Sequence, residues 1–200
     1  MSENKIQENF KKYLDGLVRL FGEKIANNII EALGGKDKVS KATFSHLTES
    51  GSAFDGSLIK NIIKMANYAK NLNAILPTFA QADENSIYKV CMLCQIAKVL
   101  LYEENDNNWE IINRGMAYKF NNKLEGALRI GERSTLIAMN VGVKFSEREF
   151  EAMRIIDKDY SEDNYTRYYS SPLATVIRQA NELITLTNRI EQIEKNEQER

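Results

Sequence analysis

The sequence predicts an all-α protein with one small β-hairpin, and three observations carry the helical part. Its 200 residues include only two prolines and ten glycines, too few breakers for many short strands joined by turns. Apolar residues recur at helical spacing through most of the chain. The most apolar run, Tyr88 to Tyr102, is too long for a typical strand and contains neither Gly nor Pro. It reads as a core helix buried on most sides, well short of the ~20 residues that span a bilayer.

The elements follow in order. Asn4 to Leu20 places Ile6, Phe10, Tyr13, Leu14, Leu17 and Leu20 on one side of an amphipathic helix. Gly22 loosens the register, Lys24 to Leu33 resumes it, and Gly34-Gly35 supplies a stop. Lys36 to Ser57 lacks periodicity and reads as a long ordered loop, a lip or contact surface. Gly56 to Leu76 is helical, with Leu58, Ile62, Met65, Ala66 and Ala69 inward, and Pro77 ends it. Asp83 or Ser86 caps the central helix. After the polar connector Glu103 to Asn108, WEIIN and MAYKF flank Arg114-Gly115 and predict the hairpin. Glu125 to Val141 and Ser146 to Asp157 are two further helices, the second opened by a Ser146–Glu149 capping box. A tyrosine-rich turn leads to the last helix from Pro172, whose polar end EKNEQER is expected to fray.

Composition excludes several classes of partner. The 27 basic and 28 acidic residues nearly cancel, which gives no call for nucleic acid or an anionic membrane. No apolar N-terminal run suggests a signal peptide or anchor. Cys91 and Cys94 fall in one predicted helix, which argues against a disulfide framework and fits a reducing, cytoplasmic setting. Their CxxC spacing lies inside that helix and not at its N-terminus, where redox thiols are activated, so both read as core cysteines. His46, the single histidine, reads as a polar loop residue and rules out histidine clusters. Dinucleotide, Walker and HExxH motifs are absent from the sequence.

Five stretches carry a family resemblance. FDGSLIKN, MLCQIAKVLLY, LRIGERS, AMRIID and SPLATVIRQANELIT resemble, in order and spacing, the HD-domain metal-dependent phosphohydrolases, above all the compact versions common in phages and gut bacteria. The resemblance covers about Lys41 to Leu186 and implies an HD-like helical bundle. The connector and hairpin fall where this subfamily carries an insertion. It divides the chain into N-terminal helices over 1–40, an HD-like domain over 41–190 and a polar tail over 191–200.

The resemblance also places the family's metal ligands, and each position here departs from the pattern. The first histidine falls at Asn61, the defining His-Asp pair at Cys94 and Gln95, two further histidines at Ile130 and Ile156, and the last aspartate at Asn181. Divalent ions need converging imidazole and carboxylate donors; isoleucine offers no lone pair and neutral amides are weak. Without the ion no activated water forms. The sequence therefore leads us to expect no metal, no cofactor and no hydrolysis, and in their place a binding, scaffolding or structural protein. The resemblance points to a phage-encoded protein with protein partners, other phage proteins among them, in the host cytoplasm and the virion or its assembly.

An alternative keeps the pocket as a non-hydrolysing nucleotide or phosphate sensor. Lys98, Glu132 and Arg133 survive from the family pattern, and Lys98 and Arg133 are the candidate phosphate ligands; the plainer reading of the three is an ion-paired remnant kept for folding. Tyr160, Tyr165, Tyr168 and Tyr169, with Trp109, suit either an aromatic contact surface or a cover over the core. The N-terminal helix packs on the domain or docks a partner. No constellation of residues supports an unrelated catalytic activity.

Overall fold

The computed structural model describes residues 1–156 and 171–198. Its helices are α1 (Glu3–Phe21), α2 (Glu23–Ala32), α3 (Lys36–Lys41), α4 (Ser57–Ala74), α5 (Glu84–Leu93) and α6 (Lys98–Leu101), then α7 (Asn108–Arg114), α8 (Ile130–Asn140), α9 (Glu147–Ile155) and α10 (Pro172–Gln198). The strands β1 (Tyr102–Glu104) and β2 (Tyr118–Phe120) form one antiparallel pair, with Tyr102 opposite Phe120 and Glu104 opposite Tyr118. This is an all-α fold with a small hairpin, as the sequence predicts.

The core is built on α4, which packs against α5 on one side and α10 on the other, with α9 closing over α10. Leu58, Ile62, Met65 and Ala69 of α4 meet Val90, Leu93, Ile177, Ala180 and Ile184 in one apolar cluster. The N-terminal helix joins that cluster through Phe10, Tyr13 and Leu17. Tyr13 is fully buried and its hydroxyl donates to the Met92 carbonyl at 3.1 Å, which ties α1 to the end of α5. Burying a tyrosine hydroxyl requires such a partner. Among the described residues no helix is long and apolar enough to cross a membrane.

The caps behave as expected: Asp83 accepts from the Ser86 amide at 2.8 Å, and Ser146 and Glu149 bond each other's backbone at 3.3 and 2.8 Å. Several boundaries differ from the sequence reading. The run Tyr88 to Tyr102 is not one helix: it tightens into turns from Cys94 to Ala97, then becomes α6 and β1. There the amides of Ile96, Lys98 and Val99 bond three residues back, while the Ala97 amide donates to Ser134 Oγ on α8 at 3.0 Å. An amide claimed from outside interrupts the four-residue ladder.

The hairpin also lies elsewhere. WEIIN is helical, because Asn107 accepts from the Trp109 and Glu110 amides at 3.1 and 3.4 Å and Gly115, at φ 62°, ends the helix. The strand facing MAYKF comes instead from Tyr102–Glu104. Part of the predicted loop, Lys36–Lys41, is a helix that buries Val39 and Ser40. The helix expected from Glu125 starts at Ile130; Gly126 has φ 74°, and Arg133 holds the preceding loop by donating to the Glu125 and Gly126 carbonyls, each at 2.9 Å. The end expected to fray is helical through Gln198, with Gln192 donating to Asn196 at 3.0 Å. The four tyrosines of the turn before Pro172 lie outside the described residues.

Candidate functional site

Two adjoining features make up the site: a buried ladder of amides between helices and a cavity beside it lined by Lys98. The ladder begins in the loop before α4. Asn188 of α10 donates from Nδ2 to Ser52 Oγ at 2.8 Å and to Asn61 Oδ1 at 3.0 Å. All three residues are buried. Gly51 permits this approach: at φ 67°, an added Cβ would overlap the Asn188 carbonyl oxygen. In the tightened turn, Gln95 Nε2 donates to Asn181 Oδ1 at 2.9 Å. Gln95 Oε1 is buried without a hydrogen-bond partner, a group that requires an explanation such as a buried water.

The structure thus joins Gln95 to Asn181 directly and seats Asn61 against a residue the sequence reading passed over, Asn188. A signal was present, since Asn188 lies two turns beyond Asn181 with buried Ile184 between them. Ile156 is buried in the apolar core and Ile130 is partly exposed at the start of α8. Gly131 lets α8 press on α9 there: a Cβ at Gly131 would overlap the Met153 carbonyl oxygen and meet Ile156 Cγ2 at 2.9 Å. Cys94 and Cys91 are buried and not joined in a disulfide, and burial pushes the Cys91 thiol far above its usual range.

Lys98 is 8% exposed and its ammonium lies 3.5 Å from the Phe44 ring centroid, a close cation–π contact. It lines two cavities. One, of about 310 Å³, gathers Lys38, Lys41 and Lys98 but also Asp37, Asp55 and Glu104. The other, of about 230 Å³, is lined by Phe44, Ser45, His46, Ser50, Ser52, Lys98, Tyr102 and Thr185, with no carboxylate among them. Arg133 lines neither; its guanidinium is engaged with the loop before α8, and Glu132 caps that helix by accepting from the Arg129 amide at 3.2 Å. The three surviving residues therefore do not share one pocket.

His46 belongs to the second cavity and is more than a loop residue. Its ring packs on Phe120 and Tyr102 at centroid distances of 4.8 and 5.8 Å, and its carbonyl accepts from the Tyr118 amide at 3.3 Å. Burial and the neighbouring Lys98 charge hold the imidazole below its usual pKa. Tyr118 donates to Asp55 Oδ1 at 2.8 Å, so the hairpin and the loop over residues 44–57 form one wall. A separate cavity of about 550 Å³ contains Arg19, Lys89 and Lys144, but Lys89 is already paired with Glu149 at 2.7 Å.

Among the described residues no group of three or more His, Cys, Asp or Glu converges as a metal site. The donor set at Asn61, Cys94, Gln95, Ile130, Ile156 and Asn181 is two amides bonded to each other, a third amide bonded to Asn188, a buried thiol and two isoleucines. Comparison with protein-family models, with curated proteins and with solved structures finds no match to this chain.

Proposed function

We propose that this chain is a non-catalytic binding or structural protein on an HD-like bundle, phage-encoded and associated with the virion or its assembly. The observation that supports this reading is the amide ladder. Gln95 and Asn181 are bonded to each other, and Asn61 is bonded to Asn188, so the side chains at the ligand positions are used in holding α10 to α4 and to the turn after α5. Neutral amides in these positions avoid the desolvation cost of buried charge. A centre built this way lends itself to rigidity and to presenting surfaces, since its amides carry no charge with which to hold a metal ion that would activate water.

Metal content of the purified chain by mass spectrometry, with phosphatase assays in added Mn²⁺, tests the first half. Substoichiometric metal and no turnover are expected; near-stoichiometric metal with turnover would return the chain to the enzymes. Persistent absence from purified phage particles would remove the virion assignment.

A second reading rests on the 230 Å³ cavity. One buried ammonium, the Ser45 hydroxyl and no carboxylate suit a small oxyanion such as phosphate, while the Ser50, Ser52 and Thr185 hydroxyls already donate to the Leu47, Ser50 and Asn181 carbonyls. The volume is below the roughly 300–1,000 Å³ of sites for larger ligands, which favours a phosphate group over a whole nucleotide. A thermal shift with phosphate or a deoxynucleotide, lost in Lys98→Ala, is the expected result; a flat response across both would end this reading.

A further inference from the structure

The C-terminal half of α10 carries two different faces. One packs on the domain through Ile184 and Asn188 and through Glu191, which pairs with Lys64 at 3.0 Å. The other holds Leu183, Leu186, Ile190 and Ile193. Leu186 is 53%, Ile190 45% and Ile193 48% exposed. At 3.6 residues per turn these four side chains share one face centred about 150° from the packed face. Their spacing of three, four and three is the a/d pattern of a heptad seam, with Leu183 and Ile190 at a and Leu186 and Ile193 at d. A surface helix that only covers its own domain has no need of a second apolar stripe pointing away from it.

We propose that α10 pairs with α10 of a second copy of this chain as a parallel two-stranded coiled coil. The flanking charges select this occupant and its direction. In this register Arg189 is a g residue and Glu194 the e residue of the next heptad. In a parallel pair, g of one helix faces that e of the other, so two Arg189–Glu194 ion pairs form across the seam. An antiparallel pair centred on the stripe sets Arg189 beside Arg189 and forfeits both. Arg189 and Glu194 are exposed, and five residues apart on one helix they do not face each other. The two domains lie on opposite outer sides of such a seam. The stripe spans only about one and a half heptads, so the dimer is concentration-dependent.

Sedimentation of the full chain over a wide concentration range tests this. The mass should rise from 22.9 kDa towards twice that value, and Ile190→Asp should abolish the rise with unchanged helical circular dichroism. Arg189→Glu and Glu194→Arg should each weaken association at least tenfold at low salt, and the double variant should restore it. Glu197→Cys, at the next a position, should form an intermolecular disulfide in the parallel pair. A chain that stays monomeric leaves the stripe to a different protein and overturns the proposal. So does a dimer indifferent to Ile190→Asp, or a charge-swapped double variant that fails to recover.

Discussion

Gln95 and Asn181 meet across 86 positions of sequence, Nε2 to Oδ1 at 2.9 Å, while the remaining oxygen of the same Gln95 amide is buried and unpaired. The pair is half satisfied, and half-satisfied buried polar groups carry most of the energetic risk in a core.

Removing Asn181 should therefore hurt more than removing Gln95. Asn181→Ala strands both ends of the buried amide and is expected to cost ~1–3 kcal/mol. Gln95→Leu eliminates the orphan oxygen and leaves unpaired only Asn181, which is partly exposed; a change within ~1 kcal/mol is expected. Urea midpoints measure both, and the reverse ranking would refute the account.

Asn188 holds two buried acceptors at once. Asn188→Ala unpairs Asn61 Oδ1 and leaves Ser52 Oγ with only its 3.4 Å bond to the Ser50 carbonyl, and should cost ~1–3 kcal/mol. Hydrogen exchange should rise in the loop over residues 44–57 before it rises in α5. Protection that falls uniformly would mean that Asn188 acts only through global stability.

Gly131→Ala adds a methyl where α8 touches the backbone of α9. Carbonyl oxygens do not swing aside as side chains do, so a loss of about 1–3 kcal/mol is expected from forcing the helices apart. Gly142→Ala, with nothing within 4 Å but φ 98°, probes strain without contact. Equal helix separation in crystal structures of Gly131→Ala and the parent would contradict the packing argument.

His46 supplies a pH dependence with a definite sign. Its folded pKa lies below the ordinary 6.5, so the unfolded chain binds the proton more readily. Its contribution is complete above pH 6.5 and falls as the pH drops towards the folded value. His46→Phe keeps an aromatic ring beside Tyr102 and Phe120 and should flatten stability over that window. As the single histidine it gives one imidazole spin system to follow by NMR, and a midpoint at or above 6.5 would be inconsistent with this.

Most helices were legible because their signals are local: a 3.6-residue period, an Asp83 cap, a Ser146–Glu149 box. What was not legible depends on distant partners. Ser134 takes the Ala97 amide from 37 positions away, and nothing between Tyr88 and Tyr102 announces it. WEIIN has β-branched residues and looked like a strand, but the Asn107 cap decides for helix. Lys98 and Arg133 looked like a pair because both fit one motif pattern, yet the ring of Phe44 and the carbonyls of the 125–126 loop take them in different directions. Asn188 sat in plain view on the correct helical face; only its contact with Ser52 gives it weight.

The ladder also sets a timetable for synthesis. Ser52, Asn61 and Gln95 are made early, but Asn181 and Asn188 arrive only with α10, up to 136 positions later. Translation proceeds at about 5–20 residues per second, so these buried groups wait several seconds in water or on improvised partners. Contacts so far apart also slow the final collapse, because the intervening chain must be closed into a loop before they form. Nascent chains stalled before α10 should therefore be bound by chaperones and cut readily by protease, and release of α10 from the ribosome is the step that makes them compact.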